Sequence, residues 1–208
     1  MYRVDRNNFF KNEKKATIYT PNWVSQFLYD ILSLQITQGL IFDPCVGQGS
    51  LLLPWQKQKE FDVLGVDVEQ TNFSPFLHKN FLALTQQDLK NQKPSLVITN
   101  PPFNLDAKTK DYVKKKYGGR PLLPELWLKK IIELFGRNIP LVLFTPYGFR
   151  LNQSLKSKRL QKFLNQEYPT ISSIISLPKD VFANVLFHAE ILIFNVSNLK
   201  PHYFIGEK

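Results

Sequence analysis

The chain has 208 residues, of which 43% are hydrophobic, enough to bury the core of one large domain or two small ones, so a disordered tail protein is excluded. Lys and Arg number 27 against 17 Asp and Glu, and the net charge of +10 favours an anionic partner such as nucleic acid or a membrane surface. The single cysteine, Cys45, excludes an internal disulfide framework and a cysteine-based zinc cluster and favours a cytoplasmic setting.

Apolar segments alternate between helical and extended patterns along the chain. Residues 21–34 carry apolar side chains at helical spacing, with Thr20 as the expected N-cap and Pro21 at the first helical position. Further helices are predicted at 50–57, 123–135 and 154–164, and strands at 40–43, 61–67, 94–99, 139–145, 171–177, 188–195 and 202–205.

This alternation predicts an α/β fold with a mostly parallel seven-stranded sheet and helices on both faces. Residues 1–16 are expected to form an N-terminal arm, and residues 17–208 a single domain. No apolar run reaches the length of about 18 residues that a membrane span needs, and we expect neither a signal peptide nor a membrane segment. In such sheets, ligands bind beyond the carboxyl ends of the strands.

A pair of glycines follows the first predicted strand. Asp43 ends that strand, and Gly47 and Gly49 lie in the turn before the next helix, where glycine lets a ligand approach the backbone closely. The third glycine of the full dinucleotide fingerprint is replaced by Leu52, and an ordinary strand-to-helix turn explains a glycine pair alone equally well. Asp67 ends the next strand 24 residues after Asp43, as expected for an acid that binds ribose hydroxyls, so the combination predicts an adenosine-containing cofactor.

The third strand exit is the most specific feature of the sequence. A buried strand ends in Asn100, Pro101, Pro102 and Phe103, and each residue before a proline is restricted to extended conformations. The Asn100 side-chain oxygen and the Pro101 carbonyl could accept both N–H groups of an adenine amine, while Phe103 stacks on the base. A plain strand terminator explains Asn-Pro-Pro in isolation, but the acid and glycine turn upstream favour the chemical interpretation.

In this order the motifs resemble the DNA adenine-N6 methyltransferases, namely type I modification subunits and their type II relatives. The family's opening Tyr/Thr-Pro corresponds to 19–21, its Asp-Pro-x-x-Gly-x-Gly to 43–49, and its catalytic Asn-Pro-Pro-Tyr/Phe to 100–103. The resemblance implies a Rossmann-like methyltransferase fold and S-adenosylmethionine as the cofactor. The cofactor-binding residues that it implies are Tyr19, Thr20, Pro21, Asp43, Pro44, Gly47, Gly49, Asp67 and Asn80.

Two assignments within this resemblance have an alternative. The residue at the cofactor adenine is Asn80, with Asp88 as a competing candidate, and Asn can both donate to and accept from an adenine edge. A second aromatic residue that stacks on the extruded target base is Phe182, with Phe187 as the alternative.

One stretch carries the whole excess of positive charge. Residues 105–165 hold 14 basic and four acidic residues, and the rest of the chain is neutral overall. The segment follows the Asn-Pro-Pro-Phe strand end, so phosphate contacts are predicted for it, although a solvated loop is the ordinary alternative. The predicted nucleic-acid contacts are Lys108, Lys110, Lys114, Lys115, Lys116 and Arg120, joined by Lys156, Lys158, Arg159 and Lys162 on the following helix.

The predicted partner is DNA, without a membrane and without a metal. His78, His188 and His202 are far apart in the sequence and lack metal-ligand spacing. Since no separate recognition domain is evident, we expect a specificity or restriction subunit, recognition by short loops, or a substrate other than duplex DNA. Two other functions stay open: methylation of an RNA base amine or a protein glutamine, and a non-catalytic nucleic-acid-binding subunit.

Overall fold

The computed structural model describes residues 19–103, 115, 122–154, 157–182 and 188–206. The predicted N-terminal arm lies outside these residues. The strands are β1 (Gly39–Asp43), β2 (Phe61–Asp67), β3 (Phe76–His78), β4 (Leu96–Thr99), β5 (Leu141–Pro146), β6 (Ile171–Ser176), β7 (Ala189–Phe194) and β8 (His202–Phe204). The helices are α1 (Asn22–Leu32), α2 (Leu53–Gln56), α3 (Leu123–Phe135) and α4 (Arg159–Leu164).

The described strands form one sheet in the order β3-β2-β1-β4-β5-β7-β6-β8. Neighbouring strands are parallel except where β7 pairs antiparallel with β5 and with β6. The predicted fold class is confirmed, and the described sheet has eight strands because β3 adds to the seven predicted from the sequence. This strand is only three residues long and pairs with β2, so its own sequence gives little periodic signal.

Alternate residues of the central strands face two apolar layers. On one side, Ile41 and Ile98 pack with Leu28 of α1. On the other side, Phe42 and Val97 pack with the buried residues of α3. Because both faces of the sheet are covered in this way, polar groups at the carboxyl ends of the strands are the ones left to meet a ligand.

Three helices begin later than the sequence predicts: α2 starts at Leu53 instead of residue 50, and α1 and α4 also start late. At the start of α1, Pro21 occupies the N-cap position, and its carbonyl accepts from the Val24 and Ser25 amides at 3.0 and 3.2 Å. Thr20 is therefore not the cap. At α4, Lys158 has a left-handed φ of 48°, which interrupts the helix predicted from residue 154 and moves its start to Arg159.

Candidate active site

Three polar strand ends lie side by side at one edge of the sheet. Asp67 ends β2, Asp43 ends β1, and Asn100 directly follows β4. The strand β1 lies between the other two and is parallel to both. The fold therefore brings together the three strand exits that the sequence singles out.

The glycine turn is tied to the end of β2. The Gly47 amide donates to Asp67 Oδ2 at 2.8 Å, and the Thr71 hydroxyl donates to the Gly47 carbonyl. Gly47 has a φ of 50°, and a Cβ built there would lie 3.8 Å from the Tyr19 ring. The turn, Asp67 and Tyr19 thus form one small cluster in which a backbone amide and a half-buried carboxylate meet.

The position of Gly49 requires glycine for a steric reason as well as a conformational one. Its φ is 82°, and a Cβ built there would lie 2.0 Å from a ring carbon of Phe73, which is itself buried. Any side chain would displace that ring, so glycine at this position is explained by packing as well as by backbone conformation.

Asp43 is a buried carboxylate in an unfavourable environment. Only 1% of the residue is exposed, and its Oδ1 accepts from the Cys45 amide at 2.9 Å. Burial raises the pKa of Asp43 to about 7; the Cys45 amide and Thr99 oppose the shift, whereas the negative charge of Asp67 adds to it. A cation placed here would relieve the cost of ionising this buried acid.

The Asn100 side chain is held by Thr20, which directly precedes the N-cap residue of α1. Its Nδ2 donates to Thr20 Oγ1 at 3.2 Å, and Thr20 is only 6% exposed. This bond explains why Thr20 does not cap α1. Of the residues that follow, Pro101 is buried, Pro102 is exposed, and Phe103 is half-buried and packs against the core layer on the α1 side.

The two candidates for the adenine contact differ in how fully they are engaged. Asp88 accepts from Lys79 Nζ at 2.6 Å and from the Thr85 amide and hydroxyl at 2.8 Å. The Lys79 bond and the two Thr85 bonds lower the pKa of Asp88 to about 2. Asn80 is exposed, and its Oδ1 accepts from the Leu82 amide at 2.9 Å, which leaves its amide nitrogen outside that bond. Asn80 therefore remains the proposed residue at the cofactor adenine, with Asp88 as the alternative.

The structure does not support a stacking role for Phe182. Only 1% of this residue is exposed, and its ring centroid lies 6.5 Å from that of Phe144 in the core. The ring is covered because residues distant in the sequence close over it, which the local pattern does not reveal. The alternative, Phe187, lies outside the described residues.

Arg159 and Lys162 also differ from their predicted role as phosphate contacts. Arg159 is 4% exposed and its Nη1 lies 2.8 Å from Glu125 Oε2, while Lys162 Nζ lies 3.4 Å from Glu125 Oε1. Glu125 also accepts from the Tyr168 hydroxyl at 2.8 Å. Burial alone would raise the pKa of Glu125, but the bonds from Arg159 and Tyr168 outweigh it and the pKa is lowered. The cations Arg159 and Lys162 therefore stabilise the fold through Glu125. The sequence signal that could have indicated this role is Glu125 itself, an acid within a strongly apolar helix.

Few of the remaining predicted phosphate contacts fall on described residues. Lys158 and Lys115 are exposed. The others lie outside the described part of the chain: Lys108, Lys110, Lys114, Lys116, Arg120 and Lys156.

The described residues form neither a metal-binding cluster nor a membrane-spanning helix. In those ranges, no group of three or more His, Cys, Asp or Glu side chains is placed to hold a metal ion. No helix within the same ranges is long and apolar enough to cross a membrane.

Comparison with known proteins identifies the family. The model of the family described as N-6 DNA Methylase matches residues 2–205, almost the full length of the chain. The chain belongs to the N-6 DNA Methylase family. The resemblance inferred from the sequence motifs is thereby confirmed.

One curated relative and two solved structures are similar to this chain. The methylase subunit of the type I restriction enzyme MjaVII from Methanocaldococcus jannaschii is 25% identical over 217 residues, which cover 88% of this chain and 37% of that protein. A type I restriction-modification methyltransferase subunit from Streptococcus thermophilus superposes with a TM-score of 0.68 at 16% identity, covering 93% of this chain and 48% of that one. A Listeria monocytogenes protein of the class I S-adenosylmethionine-dependent methyltransferase type gives 0.63 at 18% identity, covering 89% and 64%. The structural matches show a shared fold.

The N-6 DNA Methylase family and its fold imply S-adenosylmethionine as the cofactor, and the residues at the strand ends fit this molecule. Its ammonium and sulfonium groups are cations, and Asp43 is a buried acid whose pKa is raised by burial and by Asp67. Asp67 has spare acceptor capacity for hydroxyl groups, because the described bonds use one donor on each oxygen. The backbone at Gly47 carries no side chain that would fill the space beside Tyr19.

Proposed function

We propose that this chain is the catalytic methyltransferase domain of a DNA modification enzyme and that it methylates the N6 amine of adenine. The observation that carries this proposal is the Asn100 amide, which stands beside the glycine turn and is anchored through its nitrogen to Thr20. A side-chain amide that is held by its nitrogen presents its oxygen as a fixed acceptor. Such an acceptor suits an amine substrate.

The chain's own groups would act mainly by alignment. Asn100 Oδ1 and the Pro101 carbonyl would accept the two N–H groups of the amine, so that its lone pair is less delocalised into the ring and is available for attack on the methyl group. These acceptors also favour the positive charge that develops on nitrogen during transfer, and water can take the proton that is released. S-adenosylmethionine, when bound, supplies the electrophilic methyl group. Asp43 would bind its cationic methionine portion, and Asp67 its ribose.

An adenine in a duplex cannot reach Asn100 unless it leaves the base stack, so we propose that the target nucleotide is flipped out. Phe103 is the aromatic residue proposed to stack on the extruded base, because it follows Asn100 in the chain and is only half-buried. Phe182 is not proposed for this role, since its ring is enclosed in the core.

The chain spans 37% of the curated relative and 48% of the Streptococcus thermophilus structure. Both of these proteins are named as type I methyltransferase subunits. We therefore propose that site selection depends on a partner that reads the sequence, by analogy with a specificity subunit. The basic residues between β4 and α3 are the proposed phosphate contacts of the domain itself.

The proposal is tested by incubating the protein with methyl-labelled S-adenosylmethionine and separate pools of DNA, RNA and protein. After digestion, mass spectrometry identifies the labelled product, and we expect N6-methyladenine in the DNA pool. Label in an RNA base or in glutamine, with none in DNA, would contradict the proposal. Cofactor binding without transfer to any pool would instead support a non-catalytic subunit.

A further inference from the structure

The turn that follows β5 stands next to the proposed site. β5 is the parallel neighbour of β4, and Thr99 is in register with Leu143. Phe103 and Tyr147 are therefore each four residues beyond a paired position on adjacent strands. The turn at Tyr147 leaves the sheet at the edge that carries Asn100, on the side away from β1.

The backbone of this turn is fixed on both sides. The Tyr147 amide donates to the His188 carbonyl at 3.0 Å, which ties the turn to the residue before β7. Gly148 takes the left-handed conformation with a φ of 74°, and the Leu151 amide donates to its carbonyl at 3.0 Å. Phe149, which is 2% exposed, anchors the turn in the core.

A buried carboxylate also contacts this turn. Glu190 of β7 is 1% exposed, and its Oε2 lies 4.0 Å from the Arg150 guanidinium. Burial raises the pKa of Glu190, while Arg150 and a hydrogen bond from the Gly148 amide oppose the shift. Its Oε1 has no hydrogen-bond partner among the described residues. A buried acid is costly, and here it contacts Gly148 and Arg150, the first and third residues after Tyr147.

The Tyr147 residue is nevertheless exposed to solvent. Its exposed fraction is 69%, although it is a large aromatic residue on a turn whose backbone is fixed. An aromatic ring on a fixed backbone loses little conformational entropy when a partner covers it. Exposed aromatic rings are the usual platform on which nucleic-acid bases stack.

We propose that Tyr147 stacks on a base of the bound DNA, next to the nucleotide that enters the site at Asn100. The inference rests on the proposed function, since it needs a nucleic-acid substrate at this edge of the sheet. Stacking uses the ring face and not the hydroxyl, and it carries no charge. Both properties separate this contact from a phosphate contact.

The test compares Tyr147→Ala and Tyr147→Phe with the wild type. Fluorescence anisotropy with a labelled mixed-sequence duplex gives the DNA affinity and its salt dependence, and labelled methyl transfer gives kcat/KM. Loss of one stacked base weakens binding roughly 5- to 150-fold, so we expect that loss for Tyr147→Ala and a change within about twofold for Tyr147→Phe. The slope of affinity against salt concentration should be the same in all three proteins.

Phe204→Ala is the matched control, because Phe204 is an 81% exposed aromatic residue on β8, three strand positions away from β5. We expect wild-type DNA affinity for this variant and wild-type cofactor affinity for every variant. Wild-type DNA affinity in Tyr147→Ala, or equal losses in the Ala and Phe variants, would overturn the stacking role. If wild-type protein methylates DNA in that case, only this inference fails; if it neither binds nor methylates DNA, the proposed function fails.

Discussion

Thr20 and Asn100 are 80 positions apart in the chain, yet their side chains meet at the centre of the proposed site. The family resemblance assigns Thr20 to the cofactor, whereas the structure shows its hydroxyl oxygen accepting from the Asn100 amide. This bond gives Thr20 a role in orienting Asn100. It also explains why Pro21, and not Thr20, forms the N-cap of α1.

The orienting role predicts different results for two substitutions. Thr20→Val keeps the shape of the side chain but removes the hydroxyl, so the Asn100 amide becomes free to rotate and kcat should fall roughly tenfold. Thr20→Ser keeps the hydroxyl and should stay within about threefold of wild type. Steady-state kinetics measure kcat, and calorimetry measures the cofactor Kd. An unchanged kcat in Thr20→Val with a raised cofactor Kd would assign Thr20 to the cofactor instead.

The raised pKa of Asp43 predicts that cofactor binding depends on pH. Because burial raises its pKa to about 7, this acid is largely protonated in the free protein below that pH and ionised above it. The ionised form attracts a cation, so cofactor affinity should rise as the pH increases from about 6 to about 8.

Asp43→Asn is the variant that tests this dependence. The Asn oxygen can still accept from the Cys45 amide, but it cannot ionise, so binding should be weaker and the part of the pH profile due to Asp43 should vanish. In the absence of cofactor the variant should melt higher than wild type at about pH 8, where the wild-type protein buries a charge. Identical pH profiles for the two proteins would contradict the assignment.

At the level of elements, Glu125 joins α3 to α4 and to the segment before β6. It is bonded to Arg159 at the start of α4 and to Tyr168, and all three residues are buried. The network fixes the beginning of α3, the element that follows the Asn-Pro-Pro-Phe strand end and the basic segment.

Removing this charge should destabilise the fold strongly. Glu125→Gln leaves the buried Arg159 guanidinium without its carboxylate, and breaking such a pair costs about 3–5 kcal/mol. The exposed Glu167→Gln is the control and should change the free energy of unfolding by less than about 0.5 kcal/mol. Urea denaturation measures both.

The pH dependence of this effect has a definite sign. The pKa of Glu125 is lowered from its ordinary value of 4.5, so its contribution is present above that pH and is lost as the pH falls through the lower folded value. The difference between Glu125→Gln and wild type should therefore shrink in acid. Equal stability of the two proteins at neutral pH would show that the network does not hold the helices together.

The sequence predicts elements well where local signals set the boundaries. β2 at 61–67 and α3 at 123–135 have the predicted bounds, because apolar periodicity continues from end to end in each. β3 was missed, since three residues form a strand only through pairing with β2. The late start of α4 depends on the left-handed backbone at Lys158, which no residue type at that position announces.

For the site, the sequence locates the strand ends but not the contacts between them. The acids and Asn100 meet because parallel strands end at one edge, which alternation of strands and helices predicts. Burial of Phe182 and the pairing of Arg159 with Glu125 depend on residues far away in the chain. The fixed turn at Tyr147 likewise requires Glu190, which only the sheet order brings close.

For the whole molecule, ion pairs within the fold engage part of the positive charge that gives the chain its net charge of +10. Within the described residues, five of the basic side chains of the charged stretch are engaged with glutamates: Lys129, Lys130, Arg150, Arg159 and Lys162. These cations stabilise the fold and are less available to phosphates. The lysines between β4 and α3 remain predicted phosphate contacts.

We propose that the Asn100 side chain aligns an adenine amine for methylation by this domain of the N-6 DNA Methylase family. The most direct measurement is labelled methyl transfer to DNA by Asn100→Ala and by wild type, together with the cofactor Kd of each. This role of Asn100 predicts that Asn100→Ala loses at least about a hundredfold in transfer rate and binds S-adenosylmethionine within about threefold of wild type. Transfer at the wild-type rate by Asn100→Ala would contradict it.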